Sequence, residues 1–213
     1  FHSTMFTAIA KDVLGIEPRA AFGLSMGEVA ILFAFSNANS KQSAEMTRRL
    51  NSSPVWTKEL AVEFNALRNA WGIPQNAPVE YFWRGYLVHA SRNVVEKAVS
   101  GNKYVRLVIV NDSRTVIIAG KPEECLRVCK KIGAHANEIP QGMVGHCDFV
   151  KPHSGAIQYV HDMLEVPKST GSTKLYTGVG CTEMPKVKGK ALGDHVANIY
   201  TEIADFERPR CLH

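Results

Sequence analysis

The segment from Arg19 to Phe35 restricts the possible folds of this chain more than any other. Arg19 to Phe22 reads as a short strand, and Glu28 to Phe35 as an apolar helix that must be buried nearly all round. Gly23-Leu24-Ser25-Met26-Gly27 joins the two. A strand running straight into an apolar helix is a building block of α/β folds, in which helices cover a largely parallel sheet. The G-x-S-x-G order adds chemistry to that geometry. A serine in such an elbow sits on strained backbone, and the flanking glycines leave room for close packing. The turn lifts the hydroxyl to a helix N-terminus, where unpaired N–H groups favour negative charge. The N–H of Met26 is then one donor to an oxyanion. At average composition this pattern arises by chance about 0.07 times in a chain of this length. The alternative is a glycine-rich turn with a surface serine.

The rest of the chain supplies a frame for that unit. Thr4 to Leu14 reads as a helix with Met5, Phe6, Ile9 and Val13 on one side, ended by Gly15. After a loop at Ser36 to Ser40, with Ser40 as a plausible N-cap, helices are expected up to Leu50 and from Val55 to Trp71, where Gly72 and Pro74 stop the second. From Tyr81 the texture changes to strands at Tyr86–Ala90, Val105–Asn111, Thr115–Ala119 and Asn137–Ile139, with helices at Asn93–Val99 and Pro122–Ile132. This β-α-β-β-α-β order is the ferredoxin-like pattern. The expected organisation is therefore a hydrolase-like α/β parallel-sheet core from residues 1–80 and 141–213, with a ferredoxin-like subdomain inserted at 81–140. A further helix is expected from about His153 to Leu164, a strand at Lys174 to Val179, and a last helix from Gly193 to Ala204.

A serine hydroxyl needs a base to become nucleophilic near neutral pH. Eight histidines compete for that role. His2 and His213 lie at the ends, His89 and His135 in the small subdomain, and His161 and His195 within expected helices. His146 follows a strand–turn signal where the chain returns to the core, and His153 lies nearby as the second candidate.

Composition excludes some classes of function and leaves others open. The chain carries a net charge of +5, but no run of Lys and Arg reaches five, so nothing marks a nucleic-acid surface. That charge fits an acidic protein partner equally well. The most apolar stretch, Ala20 to Phe35, contains Ser25 and Glu28 and is too short and too polar to span a bilayer. No secretory signal is visible, and five cysteines without framework spacing fit a reducing, cytoplasmic compartment. Cys125 and Cys129 stand four apart on an expected helix. No matching ligand pair accompanies them, so they read as buried thiols rather than a metal site.

Phe22 to Glu28, FGLSMGE, resembles the G-H-S-x-G-E elbow of malonyl-CoA:acyl-carrier-protein transacylases and polyketide-type acyltransferase domains. QGMVGH, ending at His146, resembles that family's catalytic-histidine turn, and NDSRTVIIAG, from Asn111 to Gly120, its subdomain strand pair. STMFTAIAKDVLGIEPRAAFGLSMGEVAILFAFS and AVEFNALRNAWGIPQ are similar to the acyltransferase domains of multienzyme polyunsaturated fatty acid synthases. The resemblance covers about Ser3 to Val150, and the last 60 residues only loosely. It implies a ping-pong transfer in which Ser25, deprotonated by His146, takes an acyl group from a coenzyme A thioester and passes it to an acyl carrier protein. It implies no bound cofactor and no metal, and other domains of a fatty acid or polyketide-type synthase as partners.

The chain departs from the family pattern in four places. Leu24 stands where histidine is usual. The arginine that pairs with a malonyl carboxylate falls at Arg49 or Arg48, with Arg49 the better alignment; two arginines on a solvated helix face are the competing reading. The N-terminal G-Q-G segment and the G-P segment after the last helix are not seen, so the chain reads as part of a larger protein, incomplete at both ends. Two other functions share the same residues. A serine hydrolase or thioesterase would use the same elbow with an added acid, for which Asp112 is poorly placed. A catalytically silent docking module would keep the fold alone.

Overall fold

The structure is a computed structural model. It describes residues 2–35, 40–78, 82–140, 142–164, 173–180 and 182–207. Residues 36–39 of the loop expected at 36–40, Gln141, Cys181, Cys211 and His213 lie outside the described residues.

In chain order the elements are α1 (His2–Ala8), β1 (Ala20–Phe22), α2 (Met26–Phe35), α3 (Ser40–Ser52), α4 (Asn65–Trp71), β2 (Arg84–Val88), α5 (Arg92–Val99), β3 (Val105–Asp112), β4 (Thr115–Gly120), α6 (Pro122–Ile132), β5 (Ala136–Ile139), α7 (Ser154–His161), β6 (Lys174–Thr177), β7 (Thr182–Glu183), α8 (Lys190–Thr201) and β8 (Ala204–Asp205). They form a mixed α/β structure with two sheets and two compact units. One unit contains Phe1–Ser53 and Ser154–Ile199, the other Pro54–His153 and Tyr200–Glu207.

In the first unit β1 pairs in parallel with β6, register Ala21 to Leu175, and β7 adds antiparallel to the far side of β6. The sheet is thus mixed, with one parallel pair. The helix expected over Thr4–Leu14 is α1 followed by a π-helical turn, Ile9–Val13. Met5, Phe6, Ile9 and Val13 are all exposed. Helix α2 buries only Glu28 and Leu32 completely, where burial nearly all round was expected. Its hydrophobic residues surround the whole helix, and among the described residues the sheet of this unit has three strands.

The second unit is built on a five-stranded sheet in the order β5-β2-β4-β3-β8. The first four strands are antiparallel neighbours, and α5 and α6 connect them in the sequence β2-α5-β3-β4-α6-β5. Tyr86, Val88, Val105, Leu107, Val116 and Ile118 form one core with Val95 of α5 and with Cys125, Val128 and Cys129 of α6. Alternation along the strands puts these side chains on one face, and a spacing of three to four residues does the same on the helices. Cys125 and Cys129 are free thiols in that core, and burial pushes both thiols above their ordinary pKa.

Two expected helices end differently. The last was expected to run to Ala204, but α8 stops at Thr201 and the chain forms β8, parallel to β3. Phe206 N–H bonds to the carbonyl of Val110 at 2.9 Å, and the buried carboxylate of Asp205 accepts a hydrogen bond from Arg92. The helix expected over Val55–Trp71 is broken into a π-helical turn, Val55–Glu59, and α4. Val62 and Phe64 between them have φ of 54° and 52°. The break turns backbone groups outward: Ala61 bridges to Met143, and the Leu60 carbonyl accepts from Val144 N–H at 2.8 Å.

A β-branched residue in left-handed backbone costs about 1–2 kcal/mol, and the Val62 side chain is exposed, so little packing depends on it. Val62→Gly is therefore expected to stabilise the protein by about 0.5–1 kcal/mol in urea titrations, the added unfolded-state entropy of glycine being subtracted. A loss of stability would show that the valine makes contacts worth more than its strain.

Candidate active site

Ser25 has φ of 55°, a conformation that few residues other than glycine, asparagine and aspartate adopt. Gly27 N–H bonds to the Leu24 carbonyl at 2.8 Å and Glu28 N–H to the Ser25 carbonyl at 2.9 Å, so α2 begins immediately behind the serine. Met26 is the first residue of α2, and its N–H is among those that a helix start leaves without an intrahelical acceptor. The two motif glycines differ in role. A Cβ on Gly23 would lie 2.2 Å from the backbone carbon of Gly27 and 2.6 Å from the nitrogen of Glu28. A Cβ on Gly27 would meet nothing within 4 Å, so close packing requires only the first glycine.

Glu28 ties this turn to the sheet. The residue is 1% exposed, and Thr177, at the end of β6, donates its hydroxyl to Glu28 Oε2 at 2.6 Å. The same hydroxyl oxygen accepts the N–H of Val179 at 3.1 Å. Burial pushes the Glu28 carboxyl up to about 7, against the opposing hydrogen bonds of Thr177 and the Gly178 backbone.

His146 also has left-handed backbone, with φ of 56°. Among the described residues only Val62 and Phe64 share that trait with the two candidates Ser25 and His146, glycines aside. Residues held in this way cluster at functional sites when surrounding contacts enforce them. Here the contacts are Val144 on Leu60, described above, and the His146 N–H, which bonds to the Tyr200 carbonyl at 2.6 Å. The ring is buried, and its Nδ1 lies 3.3 Å from the Glu202 carbonyl. A carbonyl accepts but cannot donate, so Nδ1 carries the proton and Nε2 is the basic nitrogen. Two residues on, Asp148 pairs with Arg106 at 2.7 Å and anchors the loop. The thiol of Cys147 is pushed up to about 12 by burial, which leaves it unreactive.

Five of the other histidines lie among the described residues of the two units as follows. His153 stands 3.9 Å from the Glu59 carboxylate. His161 is buried, with Nδ1 2.8 Å from the Ile157 carbonyl, and burial lowers its pKa, as it does that of His195. His89 and His135 stack on each other at 6.2 Å.

Arg48 and Arg49 lie on α3. Arg48 makes two hydrogen bonds to Glu45, at 2.7 and 2.6 Å, on the solvent side. Arg49 reaches across to α7, bonding to Asp162 at 2.7 Å and to the Tyr159 carbonyl at 2.6 Å, with a further bond to Glu45 at 3.1 Å. Ser25, Met26, Glu28, Arg48 and Arg49 belong to the first unit and His146 to the second. Sequence reasoning missed Thr177, Asp162 and the carbonyls of Tyr200 and Glu202. Thr177 is 149 positions from Glu28, and a carbonyl carries no residue-type signal at all.

No family model matches the chain. It is 40% identical over 215 residues to one of the subunits of the polyunsaturated fatty acid synthase of Thraustochytrium sp., a match that covers 96% of this chain and 10% of that protein. The chain thus spans about a tenth of the length of this relative. Among solved structures, the acyltransferase domain from module 8 of the salinomycin polyketide synthase superposes with a TM-score of 0.67 at 16% identity, covering 95% of this chain and 43% of that one. FabD from Acinetobacter baumannii gives 0.68 at 18% identity, covering 97% and 61%. An acyl carrier protein S-malonyltransferase from Vibrio cholerae gives 0.65 at 16% identity, covering 96% and 62%. In fold the chain resembles the acyltransferase domains of polyketide synthases and malonyl transacylases, and in sequence a component of a polyunsaturated fatty acid synthase.

Burial of Glu28 makes stability depend on pH with a definite sign. Its carboxyl titrates near 7 when folded and in the ordinary range near 4.5 when unfolded. The contribution of the neutral form is therefore complete below about 4.5 and is lost as pH rises through 7. Between pH 5 and 8 the protein is expected to lose on the order of 2–3 kcal/mol more stability than the Glu28→Gln variant, measured by urea unfolding. Parallel pH profiles for the two proteins would overturn this assignment.

Proposed function

We propose, taking that resemblance as the premise, that this chain is an acyltransferase domain that moves an acyl group from coenzyme A to an acyl carrier protein through an ester on Ser25. The observation that carries the reading is the left-handed Ser25 directly before α2, whose first residue, Met26, has a backbone N–H without an intrahelical acceptor. In the proposed cycle, Nε2 of His146 takes the proton from Ser25 Oγ as the oxygen attacks the thioester carbonyl. The Met26 N–H helps to hold the resulting oxyanion. The C–S bond breaks, and coenzyme A leaves with the proton from His146. The thiol of the carrier's phosphopantetheine arm then gives its proton to His146 and attacks the ester. A new C–S bond forms, the C–O bond breaks, and Ser25 recovers its proton.

The same reading covers the architecture and the setting. Residues 1–80 and 141–213 are a hydrolase-like core, and β2 to β5 with α5 and α6, within residues 81–140, are a ferredoxin-like subdomain. The domain works in the cytoplasm within a synthase of the polyunsaturated fatty acid or polyketide type, without a bound cofactor. The net charge of +5 favours encounter with an acidic carrier.

Hydrolysis to a free acid is the second reading. Its usual third member is a carboxylate on the histidine, whereas Nδ1 of His146 faces the Glu202 carbonyl. Asp112, the acid between Ser25 and His146 in sequence, instead accepts the N–H of Arg114 in the β3–β4 turn. This arrangement favours a serine–histidine dyad over a triad.

Incubation with acyl-CoA, followed by intact-mass measurement, is expected to show one acyl group on the protein and none on Ser25→Ala. Transfer to a carrier protein is expected to fall by at least about 1,000-fold in Ser25→Ala and in His146→Ala. Undiminished transfer by Ser25→Ala would overturn the ester route, and free acid as the main product with carrier present would favour hydrolysis.

A further inference from the structure

Arg49 is more heavily committed than a receptor for a substrate anion would be. Its Nε donates to Glu45, its Nη1 donates both to Asp162 and to the Tyr159 carbonyl, and its guanidinium lies 4.2 Å from the centre of the Tyr159 ring. The side chain is 16% exposed, so these partners surround it rather than brush its surface. Arg48, the other candidate for a substrate carboxylate, is 63% exposed and held by Glu45 through two hydrogen bonds. Two cations thus already face two carboxylates, Glu45 and Asp162.

A third carboxylate gripping Arg49 through two nitrogens would have to displace Asp162 from Nη1 or Glu45 from Nε. It would gain one charge-assisted pair, lose another of the same kind, and stand beside the displaced anion. A bidentate grip also needs two adjacent N–H groups in the guanidinium plane, and Nη1 is occupied twice. Residues next to the nucleophile point the same way. Leu24 and Met26, on either side of Ser25, are 48% and 66% exposed, and Phe22 of β1 is exposed as well. These side chains offer an acyl chain apolar contact and no charge.

We infer that the acyl group carried by Ser25 is uncharged, a hydrocarbon acyl rather than a malonyl-type one, and that Arg49 is a strut joining α3 to α7. The inference rests on the ester reading above and narrows its substrate class. Its test is a competition: the unmodified protein is given an equimolar mixture of acetyl-, hexanoyl-, palmitoyl-, malonyl- and methylmalonyl-CoA, and the masses on the Ser25 peptide are read. Hydrocarbon acyl adducts are expected to exceed carboxylated ones by at least 10-fold. Arg49→Ala is expected to lower the melting temperature while leaving that ratio unchanged. A malonyl adduct that dominates in the unmodified protein, and is lost selectively in Arg49→Ala, overturns the inference and makes Arg49 the carboxylate receptor while the ester reading stands. If no acyl-CoA labels Ser25, the ester reading fails and the inference falls with it. The competition in the unmodified protein decides the question even if the variant does not fold.

Discussion

The proposed chemistry depends on a steric constraint at Gly23. The backbone at Gly27 and Glu28 approaches so closely that no Cβ can be accommodated there. That approach folds the chain back over Ser25, holds the serine in left-handed backbone and starts α2 behind it. The Glu28 carboxyl then connects the first turn of α2 to the end of β6 through Thr177, inside the unit and out of water. A strained residue persists only where its neighbours leave it no alternative. Here a close backbone approach and a buried hydrogen bond supply that enforcement.

His146 is held by a different device. The expected helix at Val55 breaks, and the backbone groups released at Leu60 and Ala61 pair with Val144 and Met143. The end of α8 provides the second support, since the Tyr200 carbonyl takes the His146 N–H and the Glu202 carbonyl faces its ring. The Glu202 carbonyl thus sets the tautomer of the imidazole, while backbone pairing with Leu60, Ala61 and Tyr200 holds the turn that carries it. The bonds from Tyr200 and Glu202 come from backbone carbonyls, which carry no residue-type signal.

The two arginines show how a motif reading and a structure can diverge in meaning. Position on α3 makes either a candidate for a substrate carboxylate, and helical spacing places Glu45 three and four residues away. Tyr159 of α7 and Asp162, in the turn after it, convert Arg49 from an available cation into part of the packing. A guanidinium has a fixed number of donors, and each one spent inside the protein is withdrawn from a ligand.

Local rules were enough for the strand–turn–helix at Ser25, the glycine in its tight approach, the alternation that builds β2 to β4, and the apolar face of α6 with its two thiols. Each depends on residues within a few positions of one another, where sterics and periodicity act directly. The break before α4, the strand β8, the exposed side of α1, and the partners of Glu28, Arg49 and His146 could not be reached in that way. They depend on groups brought together from distant parts of the chain, or on how much surface the neighbouring elements can cover. Such contacts exist only once the chain has folded, because the loss of chain entropy that they require is offset by the whole core and not by any one segment.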